Sequence, residues 1–166
     1  MAIDRRAIAG LSVSAALAVG LFVSEGYTDK AVIPVEGDVP TYGFGMTHRA
    51  DGSAVKMGDK TNPIEAVQRS LSHIQKDELG IKRCVTAPLS QNEYDLMVGF
   101  AYQYGVPTLC NSSMVKRANR GDYIGSCMAY LEYKKVDGYD CSTPGNKRCY
   151  GVWLRSKERY EKCLGG

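Results

Sequence analysis

Few side chains in this sequence can act as acid, base or nucleophile near neutral pH. There are two histidines, His48 and His73, and neither has a metal-ligating neighbour at close spacing. His73 reads as the surface of a helix and His48 as part of a loop. Cys/His nucleophilic catalysis needs a free thiol, and an even number of cysteines argues against one. A Ser-His-Asp mechanism lacks its strand-to-helix serine motif. Carboxylates remain. Glu25 stands where an apolar stretch ends and a glycine-rich one begins, with Val23 before it and Gly26 after it. A carboxyl set against the core holds its proton to higher pH, as a general acid requires, and a Glu25 turned toward the core is one reading of this position. Asp29, Glu36 and Asp38 follow closely enough to supply a second carboxylate. An ordinary exposed carboxylate at a helix end is the other reading of Glu25.

The elements that must position these groups can be read from periodicity. From Glu25 to Asp59 glycine punctuates the chain, with Asp51-Gly52 as a hairpin turn, which predicts a small β-lobe. Pro63 suits a first helical position, and Ile64, Val67, Leu71 and Ile74 recur at helical spacing up to about Leu79-Gly80. Ser90-Gln91-Asn92-Glu93 is a capping box, followed by Tyr94, Met97, Val98 and Ala101 on one face until Gly105. Further helices are expected over Ser112–Asn119, from an Asp122 cap through Tyr133, and over Gly151–Leu164. The expectation is one domain in the α+β class, mostly helical, with a small β-lobe and a helical lobe. No repeat or interdomain linker is visible.

The first residues bear on the compartment. After Arg5 and Arg6, residues 7–23 carry no charge. As one helix they would span roughly 26 Å, short of the roughly 30 Å of a bilayer's hydrocarbon core, and Ala, Gly and Ser make the run only weakly apolar. Three readings are open: a signal peptide cleaved after Ala16-Leu17-Ala18, a buried N-terminal helix of a cytoplasmic protein, and an uncleaved signal-anchor that later leaves the membrane. The third is preferred, which divides the chain into an anchor over 1–23 and a catalytic domain over 24–166.

The formal net charge is +3, which reads either as attraction to an anionic cell wall or as ordinary scatter, and is too little for a dedicated nucleic-acid binder. The six cysteines, 84, 110, 127, 141, 149 and 163, stand in the C-terminal half without zinc-ligand spacing. With an export signal they read as disulfides. Pro144-Gly145 is a turn that can join Cys141 to Cys149; Cys110–Cys127 and Cys84–Cys163 follow by elimination. No metal or other cofactor is expected.

Several stretches taken in order carry a resemblance. Ser24-Glu25-Gly26-Tyr27, Pro40-Thr41-Tyr42-Gly43-Phe44-Gly45, Leu89-Ser90-Gln91-Asn92-Glu93-Tyr94-Asp95 and Phe100-Ala101-Tyr102-Gln103-Tyr104-Gly105 together look like the phage-lysozyme family, glycoside hydrolase family 24. Asn119-Arg120-Gly121-Asp122-Tyr123 and the closing Arg155 to Cys163 extend the match over nearly the whole chain after residue 20. The resemblance implies a lysozyme-like fold and hydrolysis of the β-1,4 bond between N-acetylmuramic acid and N-acetylglucosamine in peptidoglycan. It implies that Glu25 is the catalytic glutamate and Thr41 the threonine before G-x-G. The family aspartate is displaced: its places here hold Pro34 and Val35, and Asp38, on the approach to Thr41, is the best substitute, ahead of Asp29 and Glu36. The histidine that often follows G-x-G is replaced by Met46. Tyr102 and Gln103 match the cleft helix and are candidate sugar contacts.

The N-terminal run resembles the signal-arrest-release endolysins, which implies tethering to the host inner membrane through residues 7–23 and later action in the periplasm as a monomer. No cysteine precedes Cys84, so a thiol within the anchor cannot control release. Two other functions stay open: a lytic transglycosylase, with Glu25 acting alone as acid and then base, and a non-catalytic wall-binding module.

Overall fold

The computed structural model describes residues 3–165. The chain divides into two units, one formed by residues 13–76 and the other by the N-terminal residues up to Ser12 together with residues 77–165.

The first unit opens with α1, Ala15–Glu25. Ser14 caps it, its hydroxyl accepting from the Leu17 amide at 3.1 Å, and Gly26 ends it at φ 70°. Strands β1 (Thr28–Val32) and β2 (Thr41–Gly43) then pair antiparallel, Thr28 facing Gly43 and Val32 facing Thr41 across an irregular register. Residues 59–61 line the other side of β1 through Ala31 N to Asp59 O and Thr61 N to Asp29 O, both 2.9 Å. Ala31, Tyr42 and Val55 form a small core with Met46 against it. A two-pronged ion pair closes the 47–60 loop, with Arg49 reaching both Asp59 oxygens at 2.7 and 2.8 Å. The expected β-lobe is there, and the Asp51-Gly52 turn lies in it, with Gly52 at φ 83° and His48 bridged to Ala54. Helix α2, Pro63–Cys84, starts with the Asn62 side chain accepting from the Glu65 amide at 2.9 Å. It runs past Gly80, where a stop was expected. The reason is close packing: a Cβ at Gly80 would lie 2.7 Å from a methyl of Val106, so the glycine admits a neighbour rather than ending the helix.

The second unit is built around α3, Gln91–Tyr104. Both capping-box bonds form, Glu93 N to Ser90 Oγ at 3.2 Å and Ser90 N to Glu93 Oε2 at 2.8 Å. Tyr94 through Ala101 include most of the buried face, and Tyr94 donates its hydroxyl hydrogen to Glu78 at 2.7 Å. Short helices follow: α4 (Val106–Asn111), α5 (Ser113–Ala118, capped by Ser112) and α6 (Tyr123–Met128, capped by Asp122). A 3-10 turn at Ala129–Glu132 takes the place of the expected continuation of α6 to Tyr133. A two-residue hairpin, β3 (Lys135–Val136) and β4 (Tyr139–Asp140), leads to α7, Tyr150–Gly165. The whole is α+β and mostly helical, as expected.

Three disulfides form: Cys84–Cys110, Cys127–Cys163 and Cys141–Cys149, with Cα separations of 5.6, 5.5 and 5.1 Å. The local pair across Pro144-Gly145 matches expectation. The pairings Cys110–Cys127 and Cys84–Cys163 do not occur. Elimination took no account of which helices touch: the close approach at Gly80 brings α4, and with it Cys110, to the end of α2. Helix α7 packs on α6, so Cys163 meets Cys127.

The charge-free segment 7–23 is not one helix here. Residues Ile8–Gly10 make a 3-10 turn, Leu11 leaves it extended, and α1 begins only after the Ser14 cap. No helix among the described residues is long and apolar enough to cross a membrane. Residues 5–12 dock on the second unit by polar contacts. Arg5 holds the Glu93 carboxylate with bonds of 2.6 to 3.0 Å and lies 3.6 Å from the centre of the Tyr123 ring. Arg6 and Leu89 exchange both backbone bonds at 2.9 Å, and Gln91 donates to the Ser12 carbonyl at 2.8 Å.

Two outcomes follow from this packing. Glu93 is 7% exposed, and a charge-assisted bond to a buried carboxylate is worth about 2 kcal/mol. Arg5→Ala should therefore lower the unfolding free energy by about that amount in a denaturant titration. At the hairpin, Asp140 is held at a pKa of about 2, first by the hydroxyl and amide of Ser142 and then by Lys134. Its contribution is complete above the ordinary aspartate range and is lost as pH falls toward about 2. An NMR titration should show that midpoint, and Ser142→Ala should raise it.

Candidate functional site

Glu25 is the last residue of α1, and its side chain is exposed rather than turned into the core. Of the two readings of this position, the exposed one holds. Only Ala18 of α1 is buried, while Val19 and Val23 are 59% and 77% exposed, so the helix has little core to offer a residue at its end.

What the carboxylate meets is the loop after β2. A Cβ built on Gly45 would lie 3.1 Å from Glu25 Oε2, so the bare Cα of Gly45 borders the carboxyl. The loop is closed by paired backbone bonds, Tyr42 N to Met46 O at 3.1 Å and Met46 N to Tyr42 O at 3.0 Å. Gly43 and Gly45 take φ of 62° and 72°, a conformation glycine adopts without a Cβ penalty. A Cβ at Gly43 would also stand 2.5 Å from Met46 Cε and 3.1 Å from Ala66 Cβ. Tyr42 is buried in the small core, and Arg69 of α2 donates to its hydroxyl and to the His48 carbonyl.

Thr41 is the first residue of β2, partly buried, with its hydroxyl 3.5 Å from the Val32 carbonyl. That is too long to hold it firmly, so the hydroxyl keeps its capacity for another partner. Asp38 lies exposed in the β1–β2 connection; its Oδ1 accepts from the Val39 amide at 2.8 Å and its own amide donates to Val35 at 3.0 Å. Asp29 and Glu36 are exposed as well. Burial first, then the negative charges of Asp29 and Glu65, push the Tyr27 phenol up.

The structure thus brings Glu25 to the Thr41–Met46 segment. Tyr102 and Gln103 stand in the last turn of α3, in the second unit. Tyr102 is half-buried and Gln103 exposed, with Gln103 Oε1 accepting from Arg159 at 2.7 Å. His48 and His73 are exposed. No group of three or more His, Cys, Asp or Glu side chains able to hold a metal is found among the described residues. Residue types alone missed Gly45 as the border of Glu25. The signal was present, since glycines on both sides of Phe44 ask for a backbone turn that other residues resist.

Sequence and structural comparisons agree with this architecture. The phage lysozyme family matches residues 23–158. The SAR-endolysin of Pseudomonas phage phiKMV is 34% identical over 127 residues, 76% of this chain and 74% of that one. The endolysin of Salmonella phage P22 is 29% identical over 112 residues, 68% of this chain and 76% of that one. In fold, the endolysin of the Escherichia coli phage FAHEc1 superposes with a TM-score of 0.76 at 24% identity, covering 97% of this chain and 96% of its own. The chain belongs to the phage lysozyme family, and with it to the endolysins that lyse peptidoglycan.

Proposed function

We propose that this chain is a muramidase, hydrolysing the β-1,4 bond between N-acetylmuramic acid and N-acetylglucosamine in peptidoglycan and so lysing the host cell. The observation that carries this reading is the exposed Glu25 carboxyl at the end of α1, bordered by Gly45 of the loop that follows Thr41 in the chain. A polymeric glycan can reach a carboxyl so placed. Protonated Glu25 gives its proton to the glycosidic oxygen as positive charge develops on the sugar ring. Asp38 and Thr41 orient a water toward the opposite face, with inversion if the two carboxyl groups stand about 6.5 to 9.5 Å apart and retention if they are closer. Tyr102 and Gln103 contact sugars. The enzyme acts as a monomer without a cofactor.

In this reading residues 1–23 are the signal-anchor. Residues 7–23 tether the chain to the inner membrane until they leave it, and the released enzyme works in the periplasm. Support comes from the similarity to a protein named SAR-endolysin and from the charge-free run itself. The folded form uses that run as a 3-10 turn, an extended piece and a short helix, a form distinct from a membrane span.

One observation favours a second reading. The Asp38 carboxylate is turned onto its own backbone, and a lytic transglycosylase would need no aspartate.

The test is turbidity loss of outer-membrane-permeabilised Gram-negative cells, followed by mass analysis of the released muropeptides. Hydrolysis leaves reducing ends, whereas transglycosylation leaves anhydro-sugars. Glu25→Gln should lower lysis at least about a hundred-fold without changing the fold; unchanged lysis would remove Glu25 from the mechanism. Asp38→Asn should slow hydrolysis about as strongly if Asp38 activates water, and full activity in that variant would favour the transglycosylase. Gly45→Ala puts a methyl group against the Glu25 carboxyl at a φ that L-residues resist, and should cost at least about ten-fold in rate.

A further inference from the structure

We propose that Phe44 is a positioning residue for Glu25, acting as the centre of an aromatic clamp on the end of α1; this rests on Glu25 being the acid. Phe22 stands one turn before Glu25, and Tyr27 two residues after it. Both rings close on Phe44: Phe22 is stacked at 5.0 Å and 22°, and Tyr27 is tilted at 5.5 Å and 55°. These separations fall in the range where aromatic pairs attract beyond simple burial, by about 0.5 to 1.5 kcal/mol each.

The clamp matters because nothing polar does its work. Among the described residues the Glu25 carboxylate has no hydrogen bond or ion pair. Gly26, at φ 70°, ends the helix directly behind it, and the last turn of a helix frays unless it is held. Phe44 provides the hold. It sits at the tip of the loop closed by Tyr42 and Met46, with Gly43 and Gly45 on either side letting the chain turn sharply. The ring takes the flanks of Glu25 while the next residue, Gly45, lies against its carboxyl. One short loop therefore fixes the helix end and borders the acid. An error of about 1 Å in such a group costs on the order of a hundred-fold in rate.

Phe22 belongs to the charge-free run. With residues 7–23 in the bilayer, Phe22 could not meet Phe44, so on the reading above the clamp closes only on release.

The test is steady-state kinetics on purified, solubilised glycan chains with the full-length protein and its Phe44→Ala, Phe44→Leu, Phe44→Tyr and Phe22→Ala variants, and thermal unfolding as the folding control. Phe44→Ala should lower kcat about 10- to 100-fold with KM within about two-fold, since the acid is displaced and the sugar contacts stay. Phe44→Tyr should restore most of kcat, and Phe44→Leu should fall between and serves if the alanine variant unfolds. Phe22→Ala should mimic Phe44→Ala, and the double variant should be little worse than either, as members of one clamp are not additive. A kcat within two-fold of the parent in Phe44→Ala would overturn the proposal, as would a raised KM at unchanged kcat or no recovery with Phe44→Tyr. Glu25→Gln run alongside separates the two ideas. If it is inactive while Phe44→Ala is fully active, only the clamp falls; if it is fully active, the reading of Glu25 falls.

Discussion

The last turn of α1 is the constraint on which the candidate site depends. Glu25 closes that helix and Gly26 breaks it, so the carboxyl stands at a place where backbone hydrogen bonds run out. The helix has no buried stripe to anchor it, with Ala18 its single buried residue. Its end is instead met from outside, by a loop that turns tightly enough to send one ring toward the helix and leave a bare Cα beside the Glu25 carboxyl. The two positive-φ glycines around Phe44 follow from that turn, as does the packing of Gly43 against Ala66. Arg69 and the small core of Ala31, Tyr42 and Val55 hold the base of the loop. The placing of the Glu25 carboxyl therefore rests on a chain of contacts confined to one unit of about sixty residues.

A second set of contacts disposes of the charge-free N-terminal run. A continuous apolar helix in a water-soluble fold would need a core around it. Here Ser14 takes the role of helix cap instead, and the residues before it are drawn into the other unit by Arg5, Arg6 and the carbonyls of Leu11 and Ser12. Arg5 meets Glu93, the same carboxylate that closes the α3 capping box. The two arginines, which the sequence offers as the n-region of an export signal, thus have partners in the folded state. A sequence can carry both only because the weakly apolar run between them and Glu25 includes Gly10, Ser12 and Ser14, which permit a break.

Much of this was legible in the chain. The capping box at Ser90, the cap at Asp122 and the Pro63 start depend on neighbours in sequence, and all appear where expected, while Ser112, read as the first residue of its helix, is the cap of α5 instead. The β-lobe and the Cys141–Cys149 loop are local in the same sense. Features that depend on distant packing were not legible. Gly80 looked like a helix stop and proved to be a contact with Val106, and that contact decides Cys84–Cys110, which elimination could not know. The hairpin at Asp137-Gly138, with φ of 49° and 78°, carries the same Asp-Gly signal read at Asp51-Gly52, but its strands are too short to show alternation. At the site, the motifs singled out Glu25 and Thr41, while the choice between a core-facing and an exposed Glu25 stayed open because it depends on how little core α1 has.

The most direct measurement of the central claim is a crystal structure of the Glu25→Gln variant with a bound N-acetylmuramic acid and N-acetylglucosamine oligomer. The account predicts the amide of the substituted side chain within about 3 Å of a glycosidic oxygen, at the end of α1 beside Gly45. An oligomer bound with every glycosidic oxygen well beyond hydrogen-bonding reach of that side chain would contradict it.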